Sequence, residues 1–312
     1  MASSQFTKKE IILSYITILR LVNGIVAGVA AAFGVVLSYQ SGIIIDPLPI
    51  VLVVIAAMLV SSQAMIFNDI ADREEDAVNA PHRPLPSGKI SVRTAWIYGI
   101  IVASLALAVA LTLDILYNLY GLSVATAIIF GGLLDLYDFK LKKLGFWGNI
   151  TIGITVLALF VYGSLHTFLI YRSTFAWIPI VVGACAASGN VGREIIKGLP
   201  DIEGDREAGV RTLAVKFGKQ KTAKIAFLFL LGLIGGALVA LIYGGVVLEQ
   251  LYLPSIIIGC IVAAVAIFLS IAILFNQKPK WAYTTKEILL WIFLSFLLVF
   301  IVDKIIAIIL GR

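Results

Sequence analysis

The stretch Asn68–Gly88, NDIADREEDAVNAPHRPLPSG, decides how this chain is read. It follows an apolar run ending at Phe67, and five acids (Asp69, Asp72, Glu74, Glu75 and Asp76) fall within eight of its residues. If the preceding helix continues through it, Asn68, Asp72 and Asp76 stand at i, i+4 and i+8, with Asp69 on the adjoining stripe. One helix edge then carries three oxygen donors. Hard cations take such donors, and Mg²⁺ is usually held by one or two carboxylates while phosphates and water complete its shell. The alternative is a solvated acidic cap on a membrane helix. Glu74 and Glu75 point away from that edge, and Ala77 to Gly88 is expected to form a loop over a cavity mouth.

Around this stretch the chain is mostly hydrocarbon. Of its 312 residues 61% are hydrophobic and 13% charged, against about 25% charged in soluble domains, and the mean hydropathy is +1.04. Apolar runs of the roughly 20 residues that cross a bilayer core recur at 12–39, 48–70, 92–113, 115–136, 147–166, 174–198, 222–246, 252–275 and 286–310. The expected fold is all-α, nine transmembrane helices around a central cavity. With no Pro/Gly/Ser linker, residues 1–312 form one domain. The first run contains Arg20 and Asn23 and is too long for a cleaved signal. Cys185 and Cys260 lie in apolar runs and are expected as packed core thiols.

The net charge of +6 comes without a basic stripe interleaved with aromatics, so no nucleic acid is expected. With the amino terminus cytoplasmic, 20 of the 24 Lys and Arg fall on the cytoplasmic side, as the positive-inside rule requires. The carboxyl terminus is then outside, in a protein of the cell membrane. Aromatics at run ends, such as Trp96, Trp147 and Trp177, suit an interfacial belt.

A second acidic cluster closes the sixth run, GREIIKGLPDIEGDREAGVRTLAVKFG, Gly192–Gly218. Asp201 and Asp205 are four apart, and the topology puts them on the same membrane side as the first cluster. Positive groups without obvious acidic partners stand nearby: Lys140, Lys142 and Lys143 after Tyr137, then Arg193, Lys197, Arg206 and Arg211. Two acidic clusters with a basic rim suit a diphosphate held through bridging Mg²⁺; a network of cytoplasmic ion pairs is the alternative. Arg20 and Asn23, three apart in the first run, share a face that could line a polar pocket, since a mid-helix Arg is costly in lipid. Asn149, Thr151, Ser188 and Asn190 read as cavity wall, and His82 and His166 as structural.

NDIADREED followed by NAPHRPLPSG, DIEGD followed by REAGVRTLAVKFG, the LRLVN start and YDFKLKK together resemble the UbiA superfamily of intramembrane prenyltransferases. The resemblance implies an isoprenyl diphosphate donor bound through two Mg²⁺ and a lipophilic acceptor. It assigns Asn68, Asp69, Asp72 and Asp76 as the first metal motif and Asp201 and Asp205 as the second. It also implies Arg73, Tyr137, Lys140 and Lys143 as diphosphate contacts, Asn23 near the metal-diphosphate end, and Arg20 nearer the acceptor. The REIIKGLPDIEGDREAGVRTL stretch most resembles the archaeal-type branch that prenylates the glycerol hydroxyl of geranylgeranylglyceryl phosphate. An aromatic acceptor such as 4-hydroxybenzoate, a secondary transporter and a non-catalytic lipid-binding protein stand as alternatives.

Overall fold

The computed structural model describes residues 6–39, 46–172, 174–200, 202–207, 212–242 and 253–309. Every regular element among the described residues is helical. The chain divides into two compact units, the first Met1–Gly28 with Pro47–Lys140, the second Val29–Asp46 with Leu141–Arg312.

The first unit holds α1 (Lys8–Ile18), the start of α2 (Leu21–Leu37), α3 (Pro47–Ala71), α4 (Arg73–Asn79), α5 (Val92–Tyr117) and α6 (Leu122–Phe139). Thr7 starts α1 with a capping box, its hydroxyl accepting from the Glu10 N–H while the Glu10 carboxylate takes the Thr7 N–H, so two orphan donors are satisfied. The expected single helix through Arg20 is instead two. Arg20 has φ +45°, a conformation no helix interior tolerates, and its carbonyl starts α2 by accepting from Asn23 N at 2.8 Å.

Asp114, expected as the boundary between two helices, lies inside α5, which runs one turn further to Tyr117. Its buried carboxylate accepts from the N–H groups of Ser123 (2.9 Å) and Val124 (3.0 Å) at the start of α6. An acid there meets both the unpaired amides and the positive end of the helix. The unit's core gathers Ile18, Ile66, Phe67, Ile90 and Val102. Phe67 lies over Gly99, where a Cβ would come within 2.3 Å of the ring.

The second unit holds the rest of α2, a 3₁₀ turn (Leu141–Leu144), α7 (Phe146–Tyr171), α8 (Ile178–Lys197), α9 (Ile202–Glu207), α10 (Leu213–Ile242), α11 (Leu253–Phe275) and α12 (Pro279–Ile309). Here α2 meets α7 backbone to backbone. A Cβ on Gly163 would lie 2.1 Å from the Ala31 carbonyl oxygen, and one on Gly34 would lie 2.4 Å from that of Phe160. Small residues permit such contact where lipid offers no hydrophobic drive, and Thr167 donates across it to the Val35 carbonyl at 3.2 Å. Helices α8 and α10 pack similarly, Ser188 donating to the Phe229 carbonyl at 2.8 Å. That makes Ser188 a packing group and not the expected cavity wall. Gly218 bends α10 with φ +74°.

Seven helical stretches among the described residues are long and apolar enough to cross a membrane: Lys8–Leu37, Pro47–Ala71, Val92–Tyr117, Leu122–Phe139, Phe146–Tyr171, Ile256–Phe275 and Pro279–Ile309. The expected count of nine is not reached by this measure, because α8 and α10 are not among them. On α5 the side chains of Ile97, Ile100, Leu105, Leu111 and Ile115 are exposed, an apolar stripe far larger than a soluble surface carries. The chain is an integral membrane protein. Cys260 is exposed on α11 and Cys185 only partly buried, so the expectation of two packed core thiols fails for Cys260. His166 is buried and bonded to the Tyr162 carbonyl at 2.7 Å, as a structural role requires.

Candidate metal and diphosphate site

The acidic stretch begins as the last turn of α3. The helix is interrupted at Asp72, with φ −87° and ψ 4°, yet the i to i−4 ladder continues: Asp72 N to Asn68 O, Asp76 N to Asp72 O and Ala80 N to Asp76 O are each 2.8 Å. Asn68, Asp72 and Asp76 therefore keep the register that puts them along one edge. Beyond Asn79 the chain turns, and Leu85 and Ile90 are buried against Ile18 and Phe67. Of the residues expected as a loop over a cavity mouth, 77–79 are helical and Leu85 is anchored in the core.

Each buried acid of this motif has a partner. Asp69 is ion-paired with Arg20. Asp76 receives Arg83 Nη1 at 2.6 Å on both oxygens, and Asn68 Nδ2 donates to Asp138 Oδ1 on α6 at 2.9 Å. Burial lowers the proton affinity of Arg83, but its hydrogen bond to Asp76 and the charges of Asp76, Asp69 and Asp72 outweigh that and raise its pKa above the ordinary value. Glu74 and Glu75 are exposed, Glu74 reaching only Arg73 at 3.4 Å. Asn23 Nδ2 lies 3.0 Å from Met65 Sδ, which Arg20 also approaches. Arg20 thus stands directly on the first acidic motif.

Among the described residues no three His, Cys, Asp or Glu side chains converge as a ready cation cage. The donor set still fits Mg²⁺, which needs only one or two carboxylates from a protein. Asp69 and Asp76 are each already set against a positive charge.

The second motif is described only in part. Asp201 and Arg211 lie outside the described residues, and Asp205 is half-buried on α9, beside exposed Glu203 and Arg206. Tyr137, half-buried, and Lys140, exposed, close α6. Lys143 lies in the 3₁₀ turn, its side chain outside the described residues. Arg193 and Lys197, expected without acidic partners, share one: Glu194 is 3.9 Å from Arg193 and 3.4 Å from Lys197. Arg193 also donates to Asn190 Oδ1 at 2.9 Å and to the Lys286 carbonyl at 3.2 Å.

Sequence reasoning missed two groups that the structure brings to these residues, Arg83 on Asp76 and Asp138 on Asn68, and also Asp135, which accepts from Gln63 at 2.6 Å. Two acids in the LLDLYDF end of an apolar helix were the available signal, since lone carboxylates in a span are costly.

The UbiA prenyltransferase family matches residues 27–297, which include both acidic motifs. The chain belongs to this family. Digeranylgeranylglyceryl phosphate synthase of Pyrococcus horikoshii is 32% identical over 256 residues, 81% of this chain and 86% of that protein. The synthase of the same name from Pyrococcus abyssi is 35% identical over 216 residues, 69% and 73% of the two chains. A solved structure of digeranylgeranylglyceryl phosphate synthase in membranes superposes with TM-score 0.68 at 29% identity, covering 95% of this chain and 99% of that one. A UbiA homologue from Archaeoglobus fulgidus bound to GPP and Mg²⁺ shares the fold, with TM-score 0.63 at 18% identity over 95% and 99% of the chains. As a UbiA member the chain is an intramembrane prenyltransferase. The transporter and non-catalytic readings fall with that.

Proposed function

We propose that this enzyme transfers a geranylgeranyl group from geranylgeranyl diphosphate to the free hydroxyl of geranylgeranylglyceryl phosphate, in ether-lipid synthesis. The observation that carries the reading is the 32–35% identity to synthases named for that product. Asn68, Asp69, Asp72 and Asp76, with Asp201 and Asp205, are assigned as ligands of two Mg²⁺ ions. Bound Mg²⁺ neutralises the charge that develops on the departing diphosphate. Arg73, Tyr137, Lys140, Lys143, Arg193 and Lys197 are assigned to diphosphate oxygens, where preorganised positive charge lowers the barrier to C1–O cleavage. The C1–O electron pair leaves with diphosphate, the acceptor oxygen bonds to C1, and the hydroxyl proton passes to diphosphate or a nearby carboxylate. Arg20 holds Asp69 in place, and Asn23 lies beside it.

Residues 1–312 are assigned as one transmembrane prenyltransferase domain, a reading supported by the family match across 27–297. Helices α8 and α10, of 20 and 30 residues, are assigned as the spans that bring the count to nine. The distribution of Lys and Arg supports a cytoplasmic amino terminus and an outer carboxyl terminus in the cell membrane.

The test is turnover by purified, lipid-reconstituted protein given labelled geranylgeranyl diphosphate, with geranylgeranylglyceryl phosphate, 4-hydroxybenzoate or no acceptor. Label should enter a diether product with the first acceptor alone, and only with Mg²⁺ present. Product from 4-hydroxybenzoate alone would overturn the assignment. Asp72→Ala and Asp201→Ala should each lower turnover by about 10²-fold or more while the protein stays folded; near-normal rates in either sink the metal assignment.

A further inference from the structure

Within the first unit, α1 and the turn after α4 line a half-open pocket of about 260 Å³, with His82, Arg83 and Lys89 on the turn and Glu10, Leu13 and Thr17 on α1. Its size falls below the roughly 300–1,000 Å³ of pockets that enclose whole drug-sized ligands. It suits a headgroup.

Its charge is positive. Arg83 and Lys89 are basic and His82 adds an imidazole, against the single carboxylate of Glu10, which Lys89 also attracts. That carboxylate is already committed to the cap of α1, accepting from Thr7 N and Thr7 Oγ1 at 2.8 Å each. Lys89 has no ion pair within 4 Å among the described residues and lies 5.7 Å from the Phe6 ring. Arg83 is shared: its Nη1 grips Asp76, while a guanidinium carries five N–H donors. Beside the pocket, Ile12, Leu13 and Ile16 of α1 are exposed. Cations at a small pocket flanked by exposed aliphatic side chains suit an amphiphile with a phosphate head and a hydrocarbon tail.

We propose that this pocket binds the phosphate monoester of the acceptor, Lys89 and His82 meeting its oxygens and Arg83 linking it to the metal motif. The inference rests on the acceptor assigned above. In a glycerol phosphate the accepting hydroxyl is on the carbon next to the one bearing the phosphoester, so the phosphate must be held a few bonds from the reacting C1. A single arginine that touches both the pocket and Asp76 supplies that short link. Phosphatidic acid of the bilayer presents the same headgroup chemistry.

The experiment compares wild type, Lys89→Ala, His82→Ala and Lys89→Arg in steady-state turnover, with the melting temperature as a check on folding. If wild type makes no product from geranylgeranylglyceryl phosphate, the acceptor assignment itself fails. Given turnover, Lys89→Ala should raise KM for this acceptor about tenfold, the loss of one charge-assisted contact, with kcat and donor KM unchanged and Lys89→Arg restoring most of the affinity. Unchanged acceptor KM in both alanine variants overturns the pocket assignment. So does a result in which Lys89→Ala alters only retention by vesicles containing phosphatidic acid, which assigns the pocket to bulk lipid.

Discussion

Asp69 lies in the last turn of α3 and Asp76 on α4, and the arginines that hold them come from elsewhere in the chain, 49 residues away for Arg20 and seven for Arg83. Both acids are buried while both arginines are partly exposed, so the carboxylates depend more on the pairs than the guanidinium groups do. Removing one partner of a buried pair leaves an uncompensated charge, at a cost of about 3–5 kcal/mol. Arg20→Ala is therefore expected to lower the melting temperature in detergent sharply, and the Arg20→Ala/Asp69→Ala double variant should recover part of that loss. A double variant as unstable as the sum of the single changes would show that pairing is not the cause. Periodicity made the edge of Asn68, Asp72 and Asp76 legible because it is local. The partner of Asp69 was not legible, since no local pattern ties residue 20 to residue 69. Glu194 was readable in principle, as it adjoins Arg193 and lies one turn from Lys197.

Among the described elements, α2 and α7 meet backbone to backbone through Gly34 and Gly163. Any side chain at Gly163 drives atoms into the Ala31 carbonyl, and backbone cannot yield as a flexible side chain can. Gly163→Ala should destabilise by about 1–3 kcal/mol through overpacking. Gly132→Ala on α6, where an added Cβ meets nothing within 4 Å, should be neutral or stabilising by up to about 1 kcal/mol. Equal thermal shifts for the two would remove the packing argument. The spans themselves were legible, since hydropathy runs over about 20 residues mark them. The break at Arg20 was not, because neither Gly nor Pro occupies positions 19–21 to signal it. The end of α5 was misplaced because Asp114 reads as a helix terminator, whereas its carboxylate serves the following helix.

For the whole molecule, the proposed orientation rests on charge asymmetry. Arg172 ends α7 and Trp177 precedes α8, on the side that the proposal puts outside, while Lys8 and Lys9 open α1. In cells producing the protein with its two native cysteines replaced, a cysteine at position 177 should react with an impermeant thiol reagent from outside. One at position 9 should react only after permeabilisation, and the reverse pattern would invert the topology. Both acidic motifs and the family match are spread over the two compact units, so neither unit alone contains every residue assigned to catalysis.

The capping of α6 by Asp114 also bears on how the protein enters the bilayer. An unpaired Asp at a span's centre opposes insertion by about 2.5–3.5 kcal/mol, and by less near its end. The amides that receive this carboxylate belong to the next helix, nine and ten residues on. Helices α5 and α6 should therefore leave the translocon as a pair, α5 lingering until α6 has emerged from the ribosome. In a glycosylation-tag insertion assay, α5 followed by α6 should integrate more fully than α5 alone, and Asp114→Leu should abolish the difference.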